Sequence, residues 1–319
     1  MTWIAVSILA YFFIALEIIL DKFLLSSKRI SHPAVYAFYS GLLSLGALAI
    51  FSPFGFHLIN YGKIWPYLLA GIVFTYGILC LFFALNEGEA SKVTPMVGAV
   101  IPVVTFLLSA FFLNEKLNHF QFLGVVILIF GGLLISFDLP IKIRKSETCL
   151  LTDKFFAGFG HTILAGTLLA VAFTAFKYFF ERDNFINVFV WTRLGLFLGA
   201  LTLLFFSFWR EPIFKSLKKF KKPEKSEAKT GGFFVLGKCL GGSGSILVNY
   251  AIALGSVTVV SALVSAEYIF VFLLGVIFSL RFPEIFKEKG KFWDIVQKVG
   301  AIVVITVGIV LISLEWKNF

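Results

Sequence analysis

Long apolar runs, separated by short clusters of charged or turn-forming residues, fill the chain from end to end. They occupy 2–24, 33–51, 65–86, 92–113, 119–137, 155–180, 185–208, 232–253, 256–280 and 292–314. Each approaches the roughly 20 residues that a helix needs to cross a ~30 Å hydrocarbon layer. The runs are apolar nearly all round and lack strict alternation, so helices are expected rather than the strands of a membrane barrel. Glycines and prolines inside them (Pro95, Pro102, Gly131, Gly132, Gly241, Gly242) suit packed membrane helices, whose neighbours satisfy freed backbone groups. The first run lacks a basic lead, carries Glu17 and shows no small-x-small cleavage site. It is read as a retained helix, not a signal peptide.

Composition agrees. Of 319 residues, 59% are hydrophobic and 14% charged, against about 25% charged in a soluble domain. A soluble enzyme, a secreted disulfide scaffold and a disordered protein are excluded. The length, which would suggest two soluble domains, becomes two membrane-embedded halves. Cys80, Cys149 and Cys239 are isolated, so neither a disulfide framework nor a zinc site is indicated.

The net charge of +10 matters less than where the charges fall. Loops after odd-numbered runs, counted with Lys22 and Lys92 at the adjoining run ends, hold 20 of the 28 Lys and Arg residues, and even loops with the termini hold 4. The bias places the odd loops in the cytoplasm and both termini outside. The most basic stretch, 209–231, contains Lys218-Lys219-Phe220-Lys221-Lys222 behind Ile213, Phe214 and Leu217 at helical spacing. It reads either as an interfacial helix on anionic lipid or as a solvated cytoplasmic linker. No aromatic stacking module accompanies the charge, so nucleic acid is not an expected partner.

The chain also resembles itself. Residues 84–113 align without gaps onto 251–280, with Ala84 on Ala251, Gly88 on Gly255, Ala99 on Ala266 and Leu113 on Leu280. Gly124 and Gly132 then match Gly300 and Gly308. Lys22 and Lys177 close the first run of each copy. The expected architecture is therefore all-α and integral to the membrane, with ten transmembrane helices in two five-helix repeats, 1–140 and 141–319. Because five is odd, the second repeat enters the membrane from the opposite side. Inverted repeats of this kind support alternating access around one site near the midplane.

Residues 81–136 resemble the EamA-type repeat of the drug/metabolite transporter superfamily. The likeness rests on an Ala-rich helix end, a small-residue turn, Pro102, Leu113-Asn114-Glu115, Gln121-x-x-Gly124 and Gly131-Gly132. In the second half Ile269 replaces the helix proline, and Glu284 follows Leu280 at a longer spacing. The resemblance implies a ten-helix transporter of small metabolites or drugs, its cavity lined by helices 1, 3, 4, 6, 8 and 9. It also implies cytoplasmic termini, contrary to the charge bias, which is followed here.

Ionisable groups at membrane depth are functional candidates. Glu267, within Ser265-Ala266-Glu267-Tyr268, suits a proton or cation coupling site, or else a permanent ion pair with Arg193 or Lys238. Glu17 suits substrate ammonium or a proton relay, or a local pair with Lys22. Arg193 could hold a carboxylate or phosphate bidentately, or a structural partner. Lys238 and Lys177 can snorkel to an interface. Lys238 also sits among Gly237, Gly241, Gly242 and Gly244, a pattern for close packing. Asn249, Tyr76, Thr75 and Ser245 are uncharged cavity candidates. His32, His57, His119 and His161 are scattered, so no metal or other cofactor is expected. The lack of a GxxxxGK[ST] phosphate-binding loop argues against ATP-driven pumping by this chain.

The expected function is secondary-active transport of a small organic solute across the cell membrane, with protons as a candidate coupling partner. An exchanger for anionic metabolites, using Arg193 or Lys238, is the alternative within transport. A membrane enzyme acting on a lipid-linked substrate is the alternative of another class, disfavoured because the carboxylates are scattered.

Overall fold

The computed structural model describes residues 2–25, 32–58, 61–87, 90–136, 148–220, 225–281 and 292–314. Among these residues the fold is entirely helical. Eight helical stretches are long and apolar enough to cross a membrane: Thr2–Leu20, Pro33–Phe51, Ile64–Glu87, Val93–Phe112, Phe159–Phe180, Phe185–Phe205, Val257–Leu280 and Val296–Ser313. The remaining two expected runs are helical as well. His119–Leu134 is a shorter apolar helix, and the run at 232–253 lies within a helix diluted by glycines, serines, Lys238 and Asn249.

The helices are labelled α1 (Thr2–Leu25), α2 (Pro33–Leu43), α3 (Gly46–Phe51), α4 (Tyr61–Glu87), α5 (Ala90–Phe112) and α6 (His119–Ser136). There follow α7 (Thr148–Phe180), α8 (Phe185–Thr202), α9 (Ser207–Phe220), α10 (Lys225–Leu254), α11 (Val257–Ala262), α12 (Val264–Arg281) and α13 (Phe292–Leu314). Side chains of Leu107, Phe111, Phe130, Val276, Ile277, Leu280 and Val303 point outward. They form the lipid-facing belt of a multi-pass membrane protein, where an apolar exterior is the stable one.

Local chemistry sets several helix ends. His32 accepts the Ala34 N–H through Nδ1 at 3.2 Å, and Pro33 follows where a missing N–H costs nothing. That acceptor role needs a neutral ring, and burial holds the His32 pKa below its ordinary value. Asn184 and Ser256 cap α8 and α11 through their side-chain oxygens. Asn114, with φ of 51°, turns the chain out of α5 in the left-handed region.

Two expected runs are broken. The run 33–51 divides at Ser44, whose hydroxyl donates to the Gly41 carbonyl at 2.6 Å and to the Arg193 carbonyl at 2.9 Å. A serine hydroxyl engaged with backbone in this way competes with the helix. The run 256–280 divides at Leu263, between α11 and α12. The basic stretch 209–231 is helical over α9, with 221–224 outside the described residues. Ile213 is fully buried, Phe208 and Phe214 are exposed, and Tyr39 of α2 meets Ser216 Oγ at 3.2 Å.

Small residues decide which helices approach closely. A Cβ on Gly71 would lie 2.1 Å from the Thr192 carbonyl, and one on Gly195 would lie 2.4 Å from the Leu68 carbonyl. Along this seam α4 and α8 therefore touch backbone to backbone, as small residues permit in membranes. Thr75 bridges it by donating to the Leu196 carbonyl at 3.0 Å, and Tyr76 Oη meets Thr202 Oγ1 at 2.9 Å. Similar closeness joins α6 to α13 at Gly124 and Gly308.

Gly195→Leu should destabilise the protein by about 2–3 kcal/mol through overpacking, read as a lower melting midpoint in detergent. Gly275→Ala, where a Cβ meets open space, should leave the midpoint unchanged. Equal midpoints for the two variants would contradict the seam.

Candidate functional site

Helix α10 supplies the backbone of the polar interior. Lys238, Gly241, Ser245 and Asn249 recur at spacings of three and four residues, so they share one face. Against that face pack α1 most extensively and α8 more lightly.

Glu17 of α1 meets this face at its first turn. Lys238 Nζ donates to Glu17 Oε1 at 2.6 Å and to Tyr36 Oη of α2 at 2.7 Å. The ammonium also lies 4.7 Å from the Tyr36 ring centre, a cation–π distance. The Glu17 carboxylate rests on Gly241, where a Cβ would fall 1.6 Å from Oε2. The bond explains why Lys238 turns inward rather than snorkelling, and it gives Lys238 a carboxylate other than Glu267. The Lys22 side chain lies outside the described ones.

Two turns further along, Arg193 of α8 reaches the same face. Its Nη2 donates to Ser245 Oγ at 3.0 Å, and its guanidinium stands 4.5 Å from the Phe189 ring. Asn249 donates from Nδ2 to the Ser245 carbonyl at 2.8 Å. Both Arg193 and Asn249 are buried.

Glu267 is buried in the first turn of α12, just beyond the break at Leu263. Its ionisable neighbours are Tyr11, Tyr268 and Glu17. Among the described residues it makes no salt bridge, so the expected pair with Arg193 or Lys238 is not formed. Tyr11 donates to the Val260 carbonyl at 2.8 Å, and Tyr268 to the Thr94 carbonyl at 3.2 Å. Tyr268 sits in the space left by Gly98 of α5. The structure thus gathers Glu17, Lys238, Arg193, Ser245 and Asn249 along α10, with Glu267 buried apart from them in the first turn of α12. It sets Tyr76 and Thr75 in the α4–α8 seam instead.

Tyr36, Tyr11 and Tyr268 complete these surroundings and were not singled out from sequence. Tyrosines in membrane runs carry no positional signal of their own. The adjacency of Tyr268 to Glu267 was the available hint.

A second polar region opens at the end of the bundle where α1 begins. It is a cavity of about 320 Å³ bordered by Trp3, Glu115, Lys116, Lys177, Glu181 and Ser256. Lys177 lies 3.5 Å from Glu181, and Glu115 Oε2 accepts from Thr258 at 3.2 Å. Near the middle of α7, His161 pairs with Glu87 at 2.8 Å and stacks on Phe83. No cluster suited to a metal ion occurs among the described residues.

Residues 1–137 match the EamA-like transporter family, part of the drug/metabolite transporter superfamily. That match takes in 137 of the 319 residues, somewhat less than half of the chain. The resemblance read from Pro102, Leu113-Asn114-Glu115 and Gly131-Gly132 is thereby shown, and it is consistent with a drug/metabolite transporter. The chain is also 36% identical, over 80 residues, to an uncharacterized protein of Methanocaldococcus jannaschii. The match takes in 25% of this chain and 58% of that relative. A protein known from its crystal structure shares the fold, with a TM-score of 0.66 and 17% identity, covering 97% of this chain and 98% of the other.

Lys238→Met should remove the ammonium that Glu17 meets at 2.6 Å. Both side chains retain some exposure, so the expected loss is about 1–3 kcal/mol, less than for a fully buried pair. Adding Glu17→Gln should restore most of it, because the carboxylate charge is then gone as well. A double variant no more stable than Lys238→Met, measured by thermal melting, would count against the pair.

Proposed function

We propose that the protein is a secondary-active transporter that moves a small organic solute across the cell membrane by alternating access. The observation that carries this reading is the polar file on α10. Charged and amide side chains cluster at membrane depth inside a bundle whose exterior is apolar, an arrangement that hydrocarbon tolerates only around a functional path or a paired site.

Helix packing supports two inverted five-helix halves, divided near residue 140. Exchanging the halves would map α1 on α10 to α7 on α4, and α1 on α12 to α7 on α5, and all four contacts occur. It would also map α2–α8, α6–α13 and α5–α11 onto themselves, and these occur too. The match to a relative of which 80 residues make up 58%, hence roughly 140 residues long, fits a unit of one half. Some contacts break the exchange, the most extensive of them that of α8 on α4. α8 packs closely on α4, but α10 has no comparable packing on α2, to which Lys238 reaches by its side chain. An asymmetry of this kind is what one of two alternating states would show.

In this reading all ten helices cross the membrane, the odd loops face the cytoplasm and both termini lie outside. Glu267, buried in the first turn of α12 without a cation, is the coupling group. Its exchange of a proton would be felt by Glu17, and through it by the Lys238 tie to α2.

Protein reconstituted in liposomes should carry solute flux whose rate depends on pH, and Glu267→Gln should flatten that dependence. A variant with the pH profile of the native protein would remove Glu267 from coupling. Absence of flux for amino acids, nucleosides, organic acids and cationic drugs alike would overturn the transport reading.

A further inference from the structure

Among the described residues, Arg193 is a buried cation that its surroundings do not balance. It stands midway along α8 with 7% exposure, and among the described residues it has no carboxylate within ion-pair distance. The rings of Phe189 and Phe74, at 4.5 and 5.8 Å, attend to its face. Its edge donors are served by Ser245 Oγ alone, and the buried Nε has no hydrogen-bond partner. A guanidinium in hydrocarbon is held at high cost unless an opposite charge accompanies it.

The neighbouring amide presents the complementary defect. Asn249 is 2% exposed, and its Oδ1 is buried without a donor. The amide cannot be turned over to mend this, because Nδ2 already serves the Ser245 carbonyl at 2.8 Å and reversal would set two oxygens face to face. One serine therefore anchors both groups, Arg193 through its hydroxyl and Asn249 through its carbonyl. Beside it remain an unmet cationic donor and an unmet neutral acceptor.

We propose that Arg193 and Asn249 form an anion site whose ligand is a small carboxylate with a hydroxyl on the adjacent carbon, a 2-hydroxy acid. The carboxylate meets the guanidinium edge, as planar oxyanions do. The hydroxyl donates to Asn249 Oδ1. An ammonium at that second position would satisfy the oxygen but bring a second cation beside Arg193, so the hydroxyl is favoured. Lys238 does not compete, because Glu17 already neutralises it. The site's place on a transport path rests on the reading above; its binding chemistry does not.

The experiment is a thermal-shift and calorimetric titration of the purified full-length chain in detergent. Lactate should raise the melting midpoint, and propionate, lacking the hydroxyl, should bind about tenfold more weakly. Lactamide, lacking the charge, should give no shift. Arg193→Gln should abolish the response to lactate, and Asn249→Ala should erase the lactate advantage over propionate while keeping propionate binding. If Arg193→Gln fails to fold, the native titrations and Asn249→Ala still decide. No lactate binding by the native protein, equal binding of chloride or alanine, or an advantage that survives Asn249→Ala would each overturn the site. Because these measurements need no flux, solute transport without lactate binding overturns the site alone. Lactate binding without any transport overturns the transport reading and leaves the site standing.

Discussion

A charge carried into a hydrocarbon layer must be met inside the protein, since no water is there to meet it. The arrangement of this chain follows from that constraint. Glu17 and Lys238 answer it together, with Tyr36 taking the second donor of the ammonium. Arg193 answers it in part, through two aromatic rings and one hydroxyl. Glu267 answers it by burial among tyrosines rather than by a cation. The first two solutions meet on α10, which combines small residues that admit side chains from its neighbours with polar residues that bind them.

Glycine is what makes the convergence possible. Where Gly71 and Gly195 face each other, two backbones close and nothing is admitted. Where Gly241 faces α1, the space of a missing side chain holds a carboxylate instead. The first kind of contact joins α4 to α8 into a stiff unit. The second sets a polar contact, Glu17 with Lys238, within the otherwise close apolar packing of α1 on α10.

The helices were legible in the sequence because an apolar run of membrane length has few other fates. Their interruptions were less so. Ser44 divides its run through a hydroxyl bonded to the Arg193 carbonyl, a partner 149 residues away that no local pattern reveals. Within the site, Glu17, Lys238, Arg193, Asn249 and Glu267 stood out as polar groups at depth, which single positions can show. Their pairing did not. Glu17 and Lys238 are 221 residues apart, and nothing near either selects the other over Lys22 or Glu267. Tyr76 and Thr75 had the right chemistry for a cavity, but their hydroxyls are held in the α4–α8 seam, and only the facing helix distinguishes the two roles. The stretch 209–231 was legible as basic and amphipathic. Its packing under α2 depends on Tyr39, again remote in sequence.

The glycine beneath Glu17 ties three positions into one unit of inheritance. Gly242, its immediate neighbour, faces open space and is free to drift, whereas even a methyl group at 241 would occupy the volume of the carboxylate oxygens. An evolving lineage that enlarges residue 241 therefore displaces the carboxylate of residue 17 from this seat, and residue 238 must follow it or change partner.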